Sequence, residues 1–263
     1  MNHPSTDTNR FAPGTFARPS RPATLRRMTG AQTRMELTLF LRNGEQLLVA
    51  LIIPLAALIA LVAIDFGAVP EPRVDHAIAA VLAMSVMGTS FTGQAIAVAF
   101  DRRYDALKRL GGTPLPPIVI IAGKILATLI LVAGQTVILG AIAVAMGWRP
   151  DPLGILVGAL MIALGSAAFS SMGLLLGGTM RAEIVLGLAN LIWFVLIGAA
   201  GLAIGVAELP SRVADLLVVV PSYALTEALL AADTGGLPVL PALVLLCWTG
   251  VCGGFAVRHF SFT

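Results

Sequence analysis

Catalysis needs nucleophiles, bases or metal ligands held at fixed spacing, and this sequence has few. Its three histidines, His3, His76 and His259, fall in the N-terminal stretch, in a polar link between apolar runs, and at the C-terminus. They form no H-E-x-x-H pair, which would set two zinc ligands and a base on one helix face. There is no G-x-S-x-G nucleophile elbow and no G-x-x-x-x-G-K-[ST] loop to cradle phosphates. Cys247 and Cys252 share one apolar run and read as small packing residues, not as disulfide or metal partners. No catalytic residue and no metal ligand is assigned, and the chain reads as a non-enzyme.

What remains is a set of mild polar residues inside apolar runs. Ser85, Thr89, Thr92 and Ile96 share a face at helical spacing, with Gly88, Ser90 and Gln94 beside it. Lys124, Gln135 and Thr136 lie in a later run, and Asn190 in another. Such residues serve either as helix–helix packing, by close approach and crossed hydroxyl bonds, or as a weakly polar pathway lining. Lys124 sits about a turn and a half into its run, close enough to the end to snorkel outward. No pair of intramembrane carboxylates is present to relay protons, which disfavours a proton-coupled carrier.

The elements that must position these residues are membrane helices. Of 263 residues, 57% are hydrophobic and 12% charged, and the mean hydropathy is +0.92. A soluble domain carries about 25% charged residues, so a cytosolic enzyme or nucleic-acid binder is excluded. Runs long enough to cross a bilayer occupy Leu47–Phe66, Ala77–Ala99, Ile118–Met146, Leu153–Gly177, Ile184–Val206 and Leu237–Val257. The fourth repeats Gly154, Gly158, Ser166, Ser170, Gly173 and Gly177 at small-xxx-small spacing, which favours tight packing. Basic residues divide 14 against 3 between alternate flanks, so both termini are expected in the cytoplasm. No cleavable signal peptide is expected, because the first apolar run starts too deep in the chain. Residues 1–24, rich in Pro, Ser, Thr and Arg, are expected to be disordered. Leu25, Met28, Met35 and Leu39 recur at helical spacing and predict an interfacial helix over 25–46, leaving 47–257 for the six spans and 258–263 as a short tail. Residues 207–236 are acidic and contain Leu216–Val220, too short to span. Two short helices around Pro221-Ser222, dipping back into the outer leaflet, are expected there, with a surface amphipathic helix as the alternative.

Residues 101–117 have the most local order. Asp101 suits a helix N-cap, Gly111 or Gly112 a C-cap, and Lys108 and Arg109 the last turn. Tyr104, Leu107 and Leu110 would form an apolar stripe. The prediction is a short charged helix over 101–110 at the cytoplasmic mouth, able to dock a partner, with a lipid-surface helix as the alternative.

This segment resembles the signature of ABC-2 type permeases, which reads roughly F-x-x-E-R-E-x-G-T-L-x-x-L-x-x-T-P-L and then G-K at the third helix. Here Asp101-Arg102, Leu107, Leu110, Thr113-Pro114-Leu115 and Gly123-Lys124 fall in place, while Arg103 replaces the second acid and Asp105-Ala106 replaces Gly-Thr. Arg42-Asn43 followed by Pro54 resembles the family's entry into its first helix, and Pro221-Ser222-Tyr223 with Glu227 its external re-entrant segment. The resemblance, over about residues 30–260, implies the membrane subunit of an ATP-driven exporter in the plasma membrane, of bacterial type. It implies a dimer of permeases, identical or related, each docked on a separate nucleotide-binding subunit that binds ATP and Mg; this chain itself would hold no cofactor. Residues 101–110 would then be the coupling helix, with Asp101, Arg102, Arg103, Tyr104, Leu107, Lys108 and Arg109 as its contacts. The pathway would run between subunits beside the second and fifth spans, which favours Ser85, Thr89, Thr92 and Asn190 as lining. Phe91, Trp193 and Phe194 are the main aromatics of the helices. Their scarcity points away from sugar polymers and toward an amphipathic drug-like or lipid cargo, in the manner of antibiotic exporters. A stand-alone carrier or channel is the alternative, though neither an inverted repeat nor a coupling-ion site is evident.

Overall fold

The computed structural model describes residues 23–64, 69–105, 115–205, 213 and 216–259. The expectations for residues 1–22, and for Leu107, Lys108 and Arg109, lie outside the described residues. Among those described, the chain is all-α, with six helices long and apolar enough to cross a membrane.

Helix α1 (Leu25–Arg42) lies before the first span, α2 (Gly44–Ala63). Asn43 alone separates them, and its side chain accepts the Gln46 N–H at 3.3 Å, capping α2. The helix expected over 25–46 therefore stops at Arg42, and the first span starts at Gly44. The second span is continuous over Arg73–Arg103 and built in three parts. These are α3 (Arg73–Val86), a π-helical stretch (Met87–Gly93) and α4 (Gln94–Arg103). The third span is α5 (Pro117–Ala145), the fourth α6 (Pro152–Thr179), the fifth α7 (Ala182–Gly205) and the sixth α9 (Val239–His259). Pro at the first turn of α5 and α6 starts each helix without losing a hydrogen bond, and Asp151 caps α6 through Leu153 and Gly154 N–H.

The second and fourth spans form the core. Their most apolar windows are 67% and 50% buried, against 11% to 22% for the other four. The small residues of α6 explain why. A Cβ on Gly173 would stand 2.6 Å from the Phe91 carbonyl oxygen, and one on Gly154 would stand 2.5 Å from that of Ala232. Those backbone atoms cannot retreat, so one stripe of α6 seats the second span at one end and helix α8 (Pro221–Asp233) at the other.

Before Pro221 the described residues 213 and 216–217 are helical and 218–220 turn, and Pro221 then opens helix α8, in keeping with the expected turn. Residues 206–212 and 214–215, where the preceding helix was expected, lie outside the described residues. Ser222, Leu225, Thr226 and Ala228 are fully buried, and α8 packs against α3, α6, α7 and α9. That burial does not suit a helix lying on the surface.

Candidate functional site

The segment read as a docking helix begins differently in the structure. Asp101 is not an N-cap: α4 runs through it to Arg103, and Tyr104 and then Asp105, at φ 56°, end the helix. The carboxylate of Asp101 is instead 2.8 Å from Lys124 Nζ, whose other partner is Glu36 Oε1 at 2.9 Å. Lys124 is 2% exposed, so the expected snorkelling is overturned. A charge this deep needs paired carboxylates on the spot, because outward reach would forfeit both. Gln32 donates to Glu36 Oε1 at 2.9 Å, and Gln94 donates to the Lys124 carbonyl at 3.0 Å and to the Thr128 hydroxyl. The cluster thus joins α1, the second span and the third. Gly123 makes it possible: a Cβ there would stand 2.7 Å from Gln32 Cβ, so any other residue would push α1 away.

Two arginines extend this junction. Arg102 donates to the carbonyls of Gly177 and Met180, each at 3.3 Å, closing the end of α6. Arg103 pairs with Glu183 of α7 at 2.6 Å, and its guanidinium lies about 6 Å from the rings of Phe100 and Tyr104. Of the described coupling candidates, Asp101, Arg102 and Arg103 face their own bundle, and Tyr104, 65% exposed, faces outward.

The four lining candidates do converge. Ser85, Thr89, Thr92 and Asn190 line one groove of about 600 Å³ between the first, second and fifth spans. Ser85 and Asn190 bond to carbonyls of their own helices. The Thr92 hydroxyl and the Trp193 indole N–H have no hydrogen-bond partner among the described residues. Trp193 lines the groove, whereas Phe91, 2% exposed, belongs to the core, and Phe194, 66% exposed, points away from the bundle.

The groove floor has a backbone origin. Pro54 lacks an N–H, so the Ala50 carbonyl one turn earlier loses its helical partner. Gln135 of the third span donates to that oxygen at 2.9 Å and accepts the Thr89 hydroxyl at 3.0 Å. Thr89 lies within the π-helical stretch, a geometry frequent at functional sites.

The sequence reading missed Glu36, Gln94 and Gln135 as tertiary partners. Two signals were present: a lysine inside an apolar run demands an acid, and an internal proline frees a carbonyl. At the opposite end, burial lifts the Glu227 carboxyl above its ordinary range. Burial and the charge of Glu227 do the same to the Tyr223 phenol. Both residues lie on α8, away from the groove.

The profile of the ABC-2 type transporter family matches residues 29–233, from within α1 to the end of α8. No curated protein matches the chain. With six membrane-length helices and a match over most of its length, the chain belongs to the ABC-2 type transporter family, as a multi-pass, permease-type membrane component of an ABC transporter rather than its ATPase.

Proposed function

We propose that this permease exports an amphipathic drug-like or lipid molecule through a groove shared by two permease copies, driven by a separate ATPase. The observation that carries this reading is the convergence of Ser85, Thr89, Thr92 and Asn190 on one groove. A weakly polar wall with few fixed charges suits a cargo that is largely apolar. The ATP and Mg belong to the partner, which docks on the segment that follows Asp101. In the assembled transporter, both termini and α1 lie on the cytoplasmic side, and α8 dips in from the outside.

The junction at Lys124 supports the coupling role. Asp101, Arg102 and Arg103 tie the end of the second span to α1 and to the third, fourth and fifth spans. A displacement of the segment beyond Arg103 is therefore shared by several helices at once. Tyr104 is the residue to test, because charge reversal of Arg102 or Arg103 would also break contacts within the bundle. Tyr104→Ala leaves the fold intact and reduces co-purification of the ATPase in mild detergent, read by intact-complex mass. Full retention of the ATPase together with normal export would remove Tyr104 from the docking surface. Recovery of the chain without any P-loop subunit, when expressed with its neighbouring genes, would favour a stand-alone carrier.

A further inference from the structure

A second groove, of about 570 Å³, opens between the second, third and fourth spans and α8. It shares no lining residue with the groove described above. We propose that this second groove is a binding site for a cationic amphiphile, an ammonium head on one long apolar chain, delivered from the bilayer.

The walls are apolar. Ile78 and Leu82 come from the second span, Leu129 and Val137 from the third, and Ala159 and Ala163 from the fourth. On the third span the lining runs from Leu129 to Val144, roughly 22 Å of helix at 1.5 Å per residue. That is a slot for an extended chain, not for a compact polar solute.

One end of the slot is different. Asp75, Trp148 and Asp233 gather there, with the Trp148 N–H donating to Asp233 Oδ1 at 2.9 Å. Neither carboxylate forms an ion pair among the described residues. Arg149, next in the chain, donates instead to the carbonyls of Val144 and Trp148. Two carboxylates and an indole at the head of an apolar slot complement an ammonium group by charge and by cation–π attraction. Their cost in the bare protein points the same way: burial and the charge of Asp75 raise the Asp233 carboxyl above its ordinary range, a shift that the Trp148 bond and His76 only oppose. A cation at the mouth would relieve it.

The test is tryptophan quenching in phosphatidylcholine nanodiscs with the full chain. Trp193→Phe/Trp248→Phe leaves Trp148 as the only indole of the original three. The probes are a brominated alkyltrimethylammonium and a brominated alkyl sulfate of equal chain length. The ammonium should quench Trp148 saturably and bind about ten-fold tighter than the sulfate, as one desolvated cation contact gives. Asp75→Asn/Asp233→Asn should abolish that preference, and Ala163→Phe should weaken both probes by filling the slot. If the tryptophan variants fail to fold, native mass spectrometry of the unsubstituted chain, scoring retained ammonium against sulfate, measures the same preference. Equal affinity for both head charges, or a preference unchanged by the double asparagine variant, would overturn the proposal. Displacement of the ammonium by phosphatidylethanolamine would give the slot to bilayer lipid and overturn it too.

Discussion

Two grooves of similar size flank the second span and differ in how their polar groups are held. In the groove beside the first and fifth spans, polarity is spread over hydroxyls, the amides of Asn43, Gln46 and Asn190, the Glu45 carboxylate and a proline-freed carbonyl. In the groove beside the third and fourth spans the wall is apolar, and two carboxylates stand at one end. The second span serves both from different faces. Ile78, Ala79 and Leu82 line the apolar groove before the π-helical stretch begins at Met87, and Thr89 and Thr92 lie within it. Mild groups inside a membrane can be satisfied by neighbouring helices, whereas carboxylates are tolerated only at an end or against a fixed partner. Lys124 shows the second condition at the other end of the bundle.

Breaking that fixed partnership has the largest expected effect. Lys124→Met leaves Glu36 and Asp101 facing each other without a cation and should cost about 3–5 kcal/mol. Thermal unfolding in detergent measures this, and Lys124→Met/Glu36→Gln/Asp101→Asn should recover much of the loss. Gly173→Val acts on the wall between the two core spans. Its side chain meets the Phe91 carbonyl, so a cost of about 1–3 kcal/mol is expected, visible as a lower midpoint of unfolding.

Gln135→Leu separates the grooves. It strands the Ala50 carbonyl and the Thr89 hydroxyl at a cost of about 1–3 kcal/mol. It should impair export while leaving Trp148 quenching by the alkylammonium unchanged. Loss of both would mean that the grooves are one mechanical unit. Asn190→Leu is milder still. The side chain is exposed and among the described residues bonds only to Leu186 O, so stability should move by under about 0.5 kcal/mol, and any change in export reports on the groove itself.

The smallest effect is one of pH. The Asp233 carboxyl is raised when folded, so the native state holds that proton more tightly than the unfolded chain. Its contribution to stability is therefore present at low pH and lost as pH rises through the folded value. Asp233→Asn should flatten that part of the profile, as read by unfolding midpoints across mild acid to neutrality. An unchanged slope would remove Asp233 as its source.

The six spans were legible because a bilayer demands long apolar runs, and no local detail can hide them. The shared groove of Ser85, Thr89 and Thr92 was legible from their helical spacing, although a π-helical stretch holds the last two. Residues 101–105 were misread because local capping rules favoured Asp101 as a start. A neighbouring lysine on another span and continuous helical bonding made it part of an ending instead. Lys124 was misread in the same way, since snorkelling is a property of one helix and an ion cluster is a property of three.

The sequence by itself determined the solvent, the number of spans, the family signature and which small residues α6 would press against its neighbours. Each follows from composition or from spacing along one helix. Tertiary structure alone decided that Glu36 and Asp101 share Lys124, that Gln135 repairs the carbonyl freed by Pro54, and that Asp75 meets Asp233 beside Trp148. These pairings join residues far apart in the chain, and only the crossing of packed helices brings them within bonding distance.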